Sequence, residues 1–439
     1  MNIVEIIAKK RDGFALTAGE IDFFVKGVND GSIPDYQTSA LLMAIYLNGM
    51  NDEETYLLTD AMAKSGDTMD LSFINGIKVD KHSSGGVGDK VTLVVAPMVA
   101  ACGLPVAKMS GRGLGFSGGT IDKLESVSGF RTALSKEEFT QFVWRDGISI
   151  MGQTQNVAPA DKKLYALRDV TGTVASLPLI AASIMSKKLA CNSDAIVLDV
   201  KWGTGAFMKT AEDAVRLAEK MVAIGLHHGK KMVAAVTSMN QPLGFTVGNA
   251  LEVKEAVESL KGGGPADLTE LCLTVGGFML VLGEKAQNLA EAKKMLTETI
   301  VNGSAFAKFK QFIGNQGGNV SQIENTSLLP QAKYILPVAA PQNGTICAIA
   351  GEKIGNACIE IGAGRVEKSD AIDHAAGVVI CKKIGDKVKA GDVLAYVHAN
   401  NEAKGQKAVE TVISAYGFGT AEKQKMIFAY IDKDGVHYE

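Results

Sequence analysis

Ten residues from Lys81 to Lys90, KHSSGGVGDK, gather a cation, an imidazole, two hydroxyls and three glycines. Backbone N–H groups of a glycine turn can converge on an anion, and Lys81, Ser83 and Ser84 add charge and donors. A Walker A loop is not present, because G-x-x-x-x-G-K-[ST] cannot be aligned on Gly85, Gly86 or Gly88, so nucleoside triphosphate hydrolysis loses its best support. A second loop, Lys108 to Glu125, reads KMSGRGLGFSGGTIDKLE and contributes Ser110, Arg112, Ser117 and Thr120. Gly113, Gly115 and Gly118 satisfy G-x-G-x-x-G, yet they lie far from the N-terminus and lack the opening βαβ context of a dinucleotide site. For either loop alone, glycines that merely permit turns would suffice. Two loops that combine lysine, hydroxyls and glycines in one domain favour a phosphate-sized anion.

The stretch from Asp161 to Leu189, DKKLYALRDVTGTVASLPLIAASIMSKKL, holds a second kind of chemistry. Ser183 and Lys187 are four apart and share a face of a helix, and Arg168 could approach from the preceding helix. A hydroxyl, an ammonium and a guanidinium together suit a planar ligand bearing carbonyl oxygens. A solvated basic face is the alternative, since Lys188 follows Lys187. His227 and His228 are adjacent with no carboxylate–histidine spacing, so they read as surface residues and not as a metal site.

The elements that must position these groups follow from pattern. Thr17 with Glu20 forms a capping box, and Ile21, Phe24, Val25 and Val28 then recur at helical spacing. Pro34 suits a first helical turn, and Asn51 with Glu54 caps a third helix that Gly66 can end. Short β-branched runs follow at Ile77 to Val79, Val91 to Val95, Pro105 to Lys108, Ala195 to Val200 and Lys231 to Val236. Helices capped at Ser135 and Thr210 stand between them, which argues an α/β domain. The helical texture returns over 161–190, making the small helical domain discontinuous. The expected organisation is therefore a helical domain (1–66 and 161–190), an α/β phosphate-binding domain (67–160 and 191–330) and a strand-rich, lipoyl-like C-terminal region (331–439). In that last region KIGDKVKAGDVL sets two Gly-Asp turns around a β run, and no M-K-M context suggests a swinging arm.

Composition narrows the classes. A chain of 439 residues with net charge −3 and no long run of one sign offers no footprint for nucleic acid or an anionic membrane. The apolar run from Leu271 to Leu282 is interrupted by Gly276 and Gly277 and falls short of the ~20 residues a membrane span needs. Six scattered cysteines without a C-x-x-C pair fit a reducing cytoplasm.

Ser110 to Glu125 resembles the signature of the thymidine and pyrimidine-nucleoside phosphorylase family, and KHSSGGVGDK resembles its phosphate loop. The likeness extends through LYALRDVTGTV, SIMSKKLA, DAIVLDVK, GAFMK and QPLGFTVGNALEVKEA, nearly the whole chain. It implies a fold of a small helical domain and a large mixed α/β domain, with base and phosphate held on opposite sides of a cleft that closes about hinges near Gly66, Pro159 and Ala190. It implies phosphate contacts at Lys81, Ser83, Thr92, Lys108, Ser110 and Thr120. It implies pyrimidine contacts at His82, Arg168, Ser183 and Lys187, with His82, Arg168 and Lys187 stabilising the departing base and His82 a candidate proton donor. It further implies a potassium ion with ligands at Gly88, Lys90, Leu243, Thr246 and Glu255, mostly through main-chain carbonyls, no organic cofactor, inorganic phosphate as co-substrate, and a homodimer formed through the helical domain.

The implied reaction is reversible phosphorolysis of uridine, thymidine and deoxyuridine. Lys108 before M-S-G-R is similar to members accepting uridine, which favours the broad enzyme over a thymidine-restricted one. Phe116 and Ser117 stand where the family often has His-Thr, Trp202 where a smaller residue is common, and Lys90 where a small or hydroxyl residue is usual. Two rivals remain: an anthranilate-type phosphoribosyltransferase, for which Asp89 and Asp122 would be magnesium ligands, and a non-catalytic nucleoside-binding protein on the same scaffold.

Overall fold

The structure is a computed structural model describing residues 1–113, 115–367, 370–422 and 425–439. The chain opens with α1 (Ile3–Arg11), α2 (Ala18–Asp30), α3 (Asp35–Asn48) and α4 (Asp52–Ala63). Both expected capping boxes are present, Thr17 with Glu20 and Asn51 with Glu54. Each satisfies amide groups that a helix start would otherwise leave unpaired.

The sheet then begins with β1 (Val79–Ser83), α5 (Val91–Ala101), β2 (Val106–Ser110), α6 (Thr120–Leu124), α7 (Lys136–Asp146) and β3 (Ile148–Gly152). Next come α8 (Pro159–Thr171) and α9 (Leu177–Cys191), which return to the first four helices and share a core with them through Leu164, Leu179, Ile21, Phe24 and Leu41. The chain re-enters the sheet with β4 (Ala195–Trp202), α10 (Ala211–His227) and β5 (Lys231–Ser238), then β6 (Thr246–Gly248), α11 (Asn249–Leu260) and α12 (Ala266–Leu282). One expectation fails here. Val91 to Val95 is not a strand but the first turns of α5. All five residues are buried. A short run that is apolar on every side fits a buried helix as well as a strand, so periodicity could not separate them.

The C-terminal region carries β7 (Tyr334–Ala339), β8 (Gly344–Ile349), β9 (Gly377–Ile380), β10 (Lys387–Val388), β11 (Val393–Ala399) and β12 (Tyr416–Phe418). The turns either side of β10 use Gly385 and Gly391, both at positive φ. Its core is its own, built on residues such as Val338, Ile346, Leu394 and Val397. The last two strands, β13 (Ile427–Asp432) and β14 (Gly435–Tyr438), leave that region and extend the main sheet instead. Residue alternation reveals a strand but not its partner, so the sequence grouped them with their neighbours.

Among the described residues the main sheet has seven strands in the order β14-β13-β5-β4-β1-β2-β3. Strands β1 to β5 run parallel, while β13 joins β5 antiparallel. From β1 the chain first builds β2 and β3 on one side, then crosses to β4 and β5 on the other. In an open α/β sheet such a reversal opens a crevice at the C-terminal ends of the strands, where ligands bind. The C-terminal ends of β1 and β2 are Lys81-His82-Ser83 and Ser110. Residues 271–282 lie in α12, whose Gly277 lets Leu289 approach closely. No helix of the described residues is long and apolar enough to cross a membrane.

Candidate active site

The crevice opens between the sheet and the helices α8 and α9, with a cavity of about 440 Å³. One wall carries the anion donors. His82 and Ser83 end β1, Thr92 lies in the first turn of α5, Lys108 and Ser110 end β2, and Thr120 begins α6, all lining the cleft. The glycines of the second loop are needed for close approach: a Cβ on Gly119 would lie 2.2 Å from the amide nitrogen of Gly113. Ser83 Oγ accepts the Gly85 amide at 3.1 Å, and Ser84 Oγ accepts the Lys201 amide at 2.8 Å, tying the first loop to β4.

Lys81 does not line the cleft. Its ammonium turns into the sheet, 3.0 Å from Asp199 on the adjacent β4, and Asp199 also holds Lys201 at 2.9 Å and Thr237 Oγ1 at 2.7 Å. Asp89 lies 4.0 Å from Lys81 and 3.9 Å from Lys201. Burial works against the Asp89 carboxylate, but Lys201, Lys81 and Lys123 outweigh it and hold its pKa well below the usual range. The floor of the anion wall is thus a compact cluster of paired charges.

Lys108 is buried, donates to the Lys81 carbonyl, and has its pKa pulled down to about 7 by burial, with Lys188 and Lys81 adding repulsion and Asp80 opposing. His82 is likewise held well below its ordinary pKa, first by burial and then by Lys188, Lys108, Lys81 and Lys187. Its imidazole is neutral at physiological pH.

The opposite wall is Tyr165 and Arg168 of α8, Val174 and Ala175, and Ile180, Ser183 and Ile184 of α9. Arg168 is buried and donates to the carbonyls of Leu179 at 3.0 Å, Val174 at 2.7 Å and Thr173 at 3.4 Å, so three of its five N–H groups brace the α8–α9 turn. Lys187 sits at the margin and does not line the cleft: its ammonium pairs with Asp161 and reaches Ser183 Oγ at 3.1 Å.

The sequence missed several lining residues. Tyr165 and Ile184 could have been found, because they fall on the helical faces that carry Arg168 and Ser183. Phe207 had a weaker signal, and Asp161, which fixes Lys187, had only its position in the first turn of α8. Phe116 is not at the cleft surface. It packs at 5.4 Å on Phe207, which is. Trp202 packs against Phe428 within the cluster that also holds Met208 and Leu217 of the cleft lining.

The residues expected to ligate potassium meet around a lysine side chain. Lys90 donates its ammonium to the carbonyls of Leu243 at 2.8 Å and Thr246 at 2.9 Å and to the Glu255 carboxylate at 2.5 Å. Gly88 closes the same nest; a Cβ there would lie 2.7 Å from the Leu243 oxygen. Lys90 therefore contributes its charged end where a backbone carbonyl was expected, and the Leu243 and Thr246 carbonyls and the Glu255 carboxylate are already engaged.

The anthranilate-type reading required Asp89 and Asp122 for magnesium. Asp89 faces the lysines of the floor, and Asp122 accepts from Arg112 at 3.0 Å, the Gly113 amide at 2.7 Å and Arg365 at 2.9 Å. Asp122 is thus committed to protein cations, whereas Asp89 also lines the cleft, 3.9–4.0 Å from the lysines of the floor.

Three family models match the chain. One described as the helical bundle domain of a glycosyl transferase family covers residues 4–66, one described as the α/β domain of such a family covers 75–306, and one described as the pyrimidine nucleoside phosphorylase C-terminal domain covers 345–419. The pyrimidine-nucleoside phosphorylase of Bacillus subtilis (strain 168) is 58% identical over 402 residues, spanning 92% of this chain and 93% of that protein. Those of Staphylococcus haemolyticus (strain JCSC1435) and Geobacillus stearothermophilus are 57% and 56% identical with the same coverage. Among solved structures, anthranilate phosphoribosyltransferase from Thermus thermophilus aligns with a TM-score of 0.58 and 18% identity, over 71% of this chain and 98% of that one. That likeness is one of fold.

Proposed function

The chain belongs to the pyrimidine-nucleoside phosphorylase family, and from that premise we infer that its cleft performs reversible phosphorolysis of uridine, thymidine and deoxyuridine. The products are a free pyrimidine and ribose or deoxyribose 1-phosphate, which makes the protein a pentosyltransferase. The observation that carries the site assignment is the two-walled cleft, with hydroxyl and lysine donors at the strand ends facing Arg168 and Ser183 on the helices.

Inorganic phosphate binds against Ser83, Thr92, Lys108, Ser110 and Thr120, with Lys81 acting from the floor as a fixed charge. A phosphate oxygen bonds to C1′ of the sugar as the bond from C1′ to the base nitrogen breaks, and the electron pair spreads onto the carbonyl oxygens of the base. Arg168, with two N–H groups beyond its three backbone contacts, and Ser183 stabilise that charge, and Lys187 acts from the margin through Ser183 Oγ. A neutral His82 serves best as a hydrogen-bond donor to a base oxygen, and the proton that completes the free pyrimidine is the one the attacking monohydrogen phosphate gives up on becoming the sugar 1-phosphate. Holding both reactants in one geometry supplies much of the rate.

A homodimer through the helical domain is supported by α3. Its Tyr36, Ala40, Met43 and Leu47 recur at i, i+4, i+7 and i+11 on an exposed face. Such an apolar stripe suits a second copy of the helix. A cytoplasmic setting is supported by six free cysteines.

The test is release of uracil and thymine from their nucleosides by the purified protein with and without phosphate. Release that depends on phosphate, with uridine accepted as well as thymidine, is expected. Turnover of thymidine alone would assign the restricted enzyme, magnesium-dependent use of a diphosphate the phosphoribosyltransferase, and binding without turnover a non-catalytic protein. His82→Ala and Arg168→Ala should each lower kcat; unchanged rates would remove both from the mechanism. Light scattering of wild type and Met43→Glu addresses the dimer.

A further inference from the structure

We propose that Lys90 is a built-in monovalent cation, whose ammonium takes the place of a bound alkali ion and makes the fold independent of potassium. An ammonium has three N–H donors. Each has one partner here, the carbonyls of Leu243 and Thr246 and the carboxylate of Glu255. The group is fully buried and its valence is filled, as a buried charge requires.

Space and charge both exclude a second cation. Gly244, at φ +67°, passes so close that a Cβ would lie 2.4 Å from Glu255 Oε2 and 3.0 Å from Lys90 Nζ, so the backbone is already wrapped tightly around the pair. Glu255 spends its remaining capacity on the amides of Phe245 at 2.8 Å and Thr246 at 3.2 Å and on Thr246 Oγ1 at 3.0 Å. Lys383 stands close by, with Asp267 at 3.0 Å as its own counter-charge. Two cations are thus balanced by two carboxylates, and an added metal ion would carry uncompensated charge into a buried nest.

The device joins three parts of the chain. Lys90 is the residue before α5, at the end of the first glycine motif; its acceptors lie on the loop 241–246 and on α11. Thr246 begins β6, which pairs with β9 of the C-terminal region. The covalent tether of a lysine holds this junction at no cost in ion binding, whereas a free ion would hold it only when the ion is bound.

The experiment compares wild type with Lys90→Thr, each exchanged into N-methylglucamine chloride and titrated with KCl at constant ionic strength. Wild-type Tm is expected to be unchanged by potassium and its phosphorolysis to vary less than about twofold. Lys90→Thr should have a lower Tm without potassium and recover both Tm and activity, the latter by at least about tenfold, as KCl is added. Crystals soaked in thallium should show an anomalous peak inside the nest for Lys90→Thr and none for wild type. A potassium-specific rise in wild-type Tm, a wild-type thallium peak in the nest, or a folded Lys90→Thr indifferent to potassium would overturn the proposal. If Lys90→Thr does not fold, the wild-type thermal and thallium measurements decide it alone. Both read the nest without substrate, so their outcome is separate from that of the phosphorolysis assay.

Discussion

Lys81 Nζ lies 3.0 Å from the carboxylate of Asp199, so the first lysine of the glycine motif belongs to the floor of the cleft and not to its surface. Asp199 is shared with Lys201, and the two substitutions are therefore unequal. Lys81→Met leaves Asp199 a partner and should cost less than the ~3–5 kcal/mol typical of breaking a buried pair. Asp199→Ala leaves two ammonium groups with only the more distant Asp89 between them and should exceed the Lys81→Met loss. Urea midpoints compare them, and equal losses would contradict a shared carboxylate.

Lys108 sets a pH dependence. With a folded pKa of about 7 it is charged below neutrality and uncharged above it. Between that value and the ordinary lysine pKa the unfolded chain binds the extra proton, so this group lets stability rise with pH across that window and costs most below pH 7. Anion binding has the opposite sign, since it needs the ammonium. Sulfate, which keeps its charge throughout, should inhibit about tenfold less at pH 8 than near pH 7, and Lys108→Met should flatten the profile. A wild-type inhibition constant that does not move with pH would exclude Lys108 from the anion site. His82 cannot supply this titration because its pKa lies well below the range.

Asp161 is expected to act through Lys187. Asp161→Asn removes the charge that orients the ammonium while leaving the shape of α8 intact. Loss of a charge-assisted hydrogen bond of about 1.5–3 kcal/mol corresponds to roughly a 10- to 100-fold fall in kcat/KM for uridine. Phosphate KM should hold steady. If it rises as much as the nucleoside KM, the effect is general and Asp161 does not orient the base wall alone.

Gly66 marks the passage from α4 to the sheet. A Cβ there would meet the Asn156 carbonyl at 2.0 Å and Pro159 at 2.4 Å. Gly66→Ala must push the two connections apart and should destabilise by about 1–3 kcal/mol, the usual cost of overpacking. A urea midpoint equal to that of wild type would show that the connections yield freely.

Local signals were the legible ones. The capping boxes at Thr17, Asn51 and Ser135, the helical spacing of Ser183 and Lys187, and the return of helix over 161–190 all depend on residues within a turn or two of each other. What the sequence hid depends on distant partners. The direction of Lys81 is decided by Asp199 on a neighbouring strand, that of Lys187 by Asp161, and that of Lys90 by a loop more than a hundred residues away. Val91 to Val95 was ambiguous for a different reason, since burial on every face erases the period that separates helix from strand. Phe207 reaches the cleft from an irregular segment, where no periodicity exists to read.

Strand β13 pairs with β5, placing residues 427–431 beside residues 234–237 after the whole C-terminal region has intervened. The consequence concerns modularity. No single cut of the chain yields a self-sufficient catalytic half, because removing the C-terminal region also strips β5 of its neighbour and exposes a long, apolar strand edge to self-association. Fusions and domain exchanges within this architecture must carry the C-terminal hairpin along with the sheet, as an insertion around the intervening region and not as a truncation.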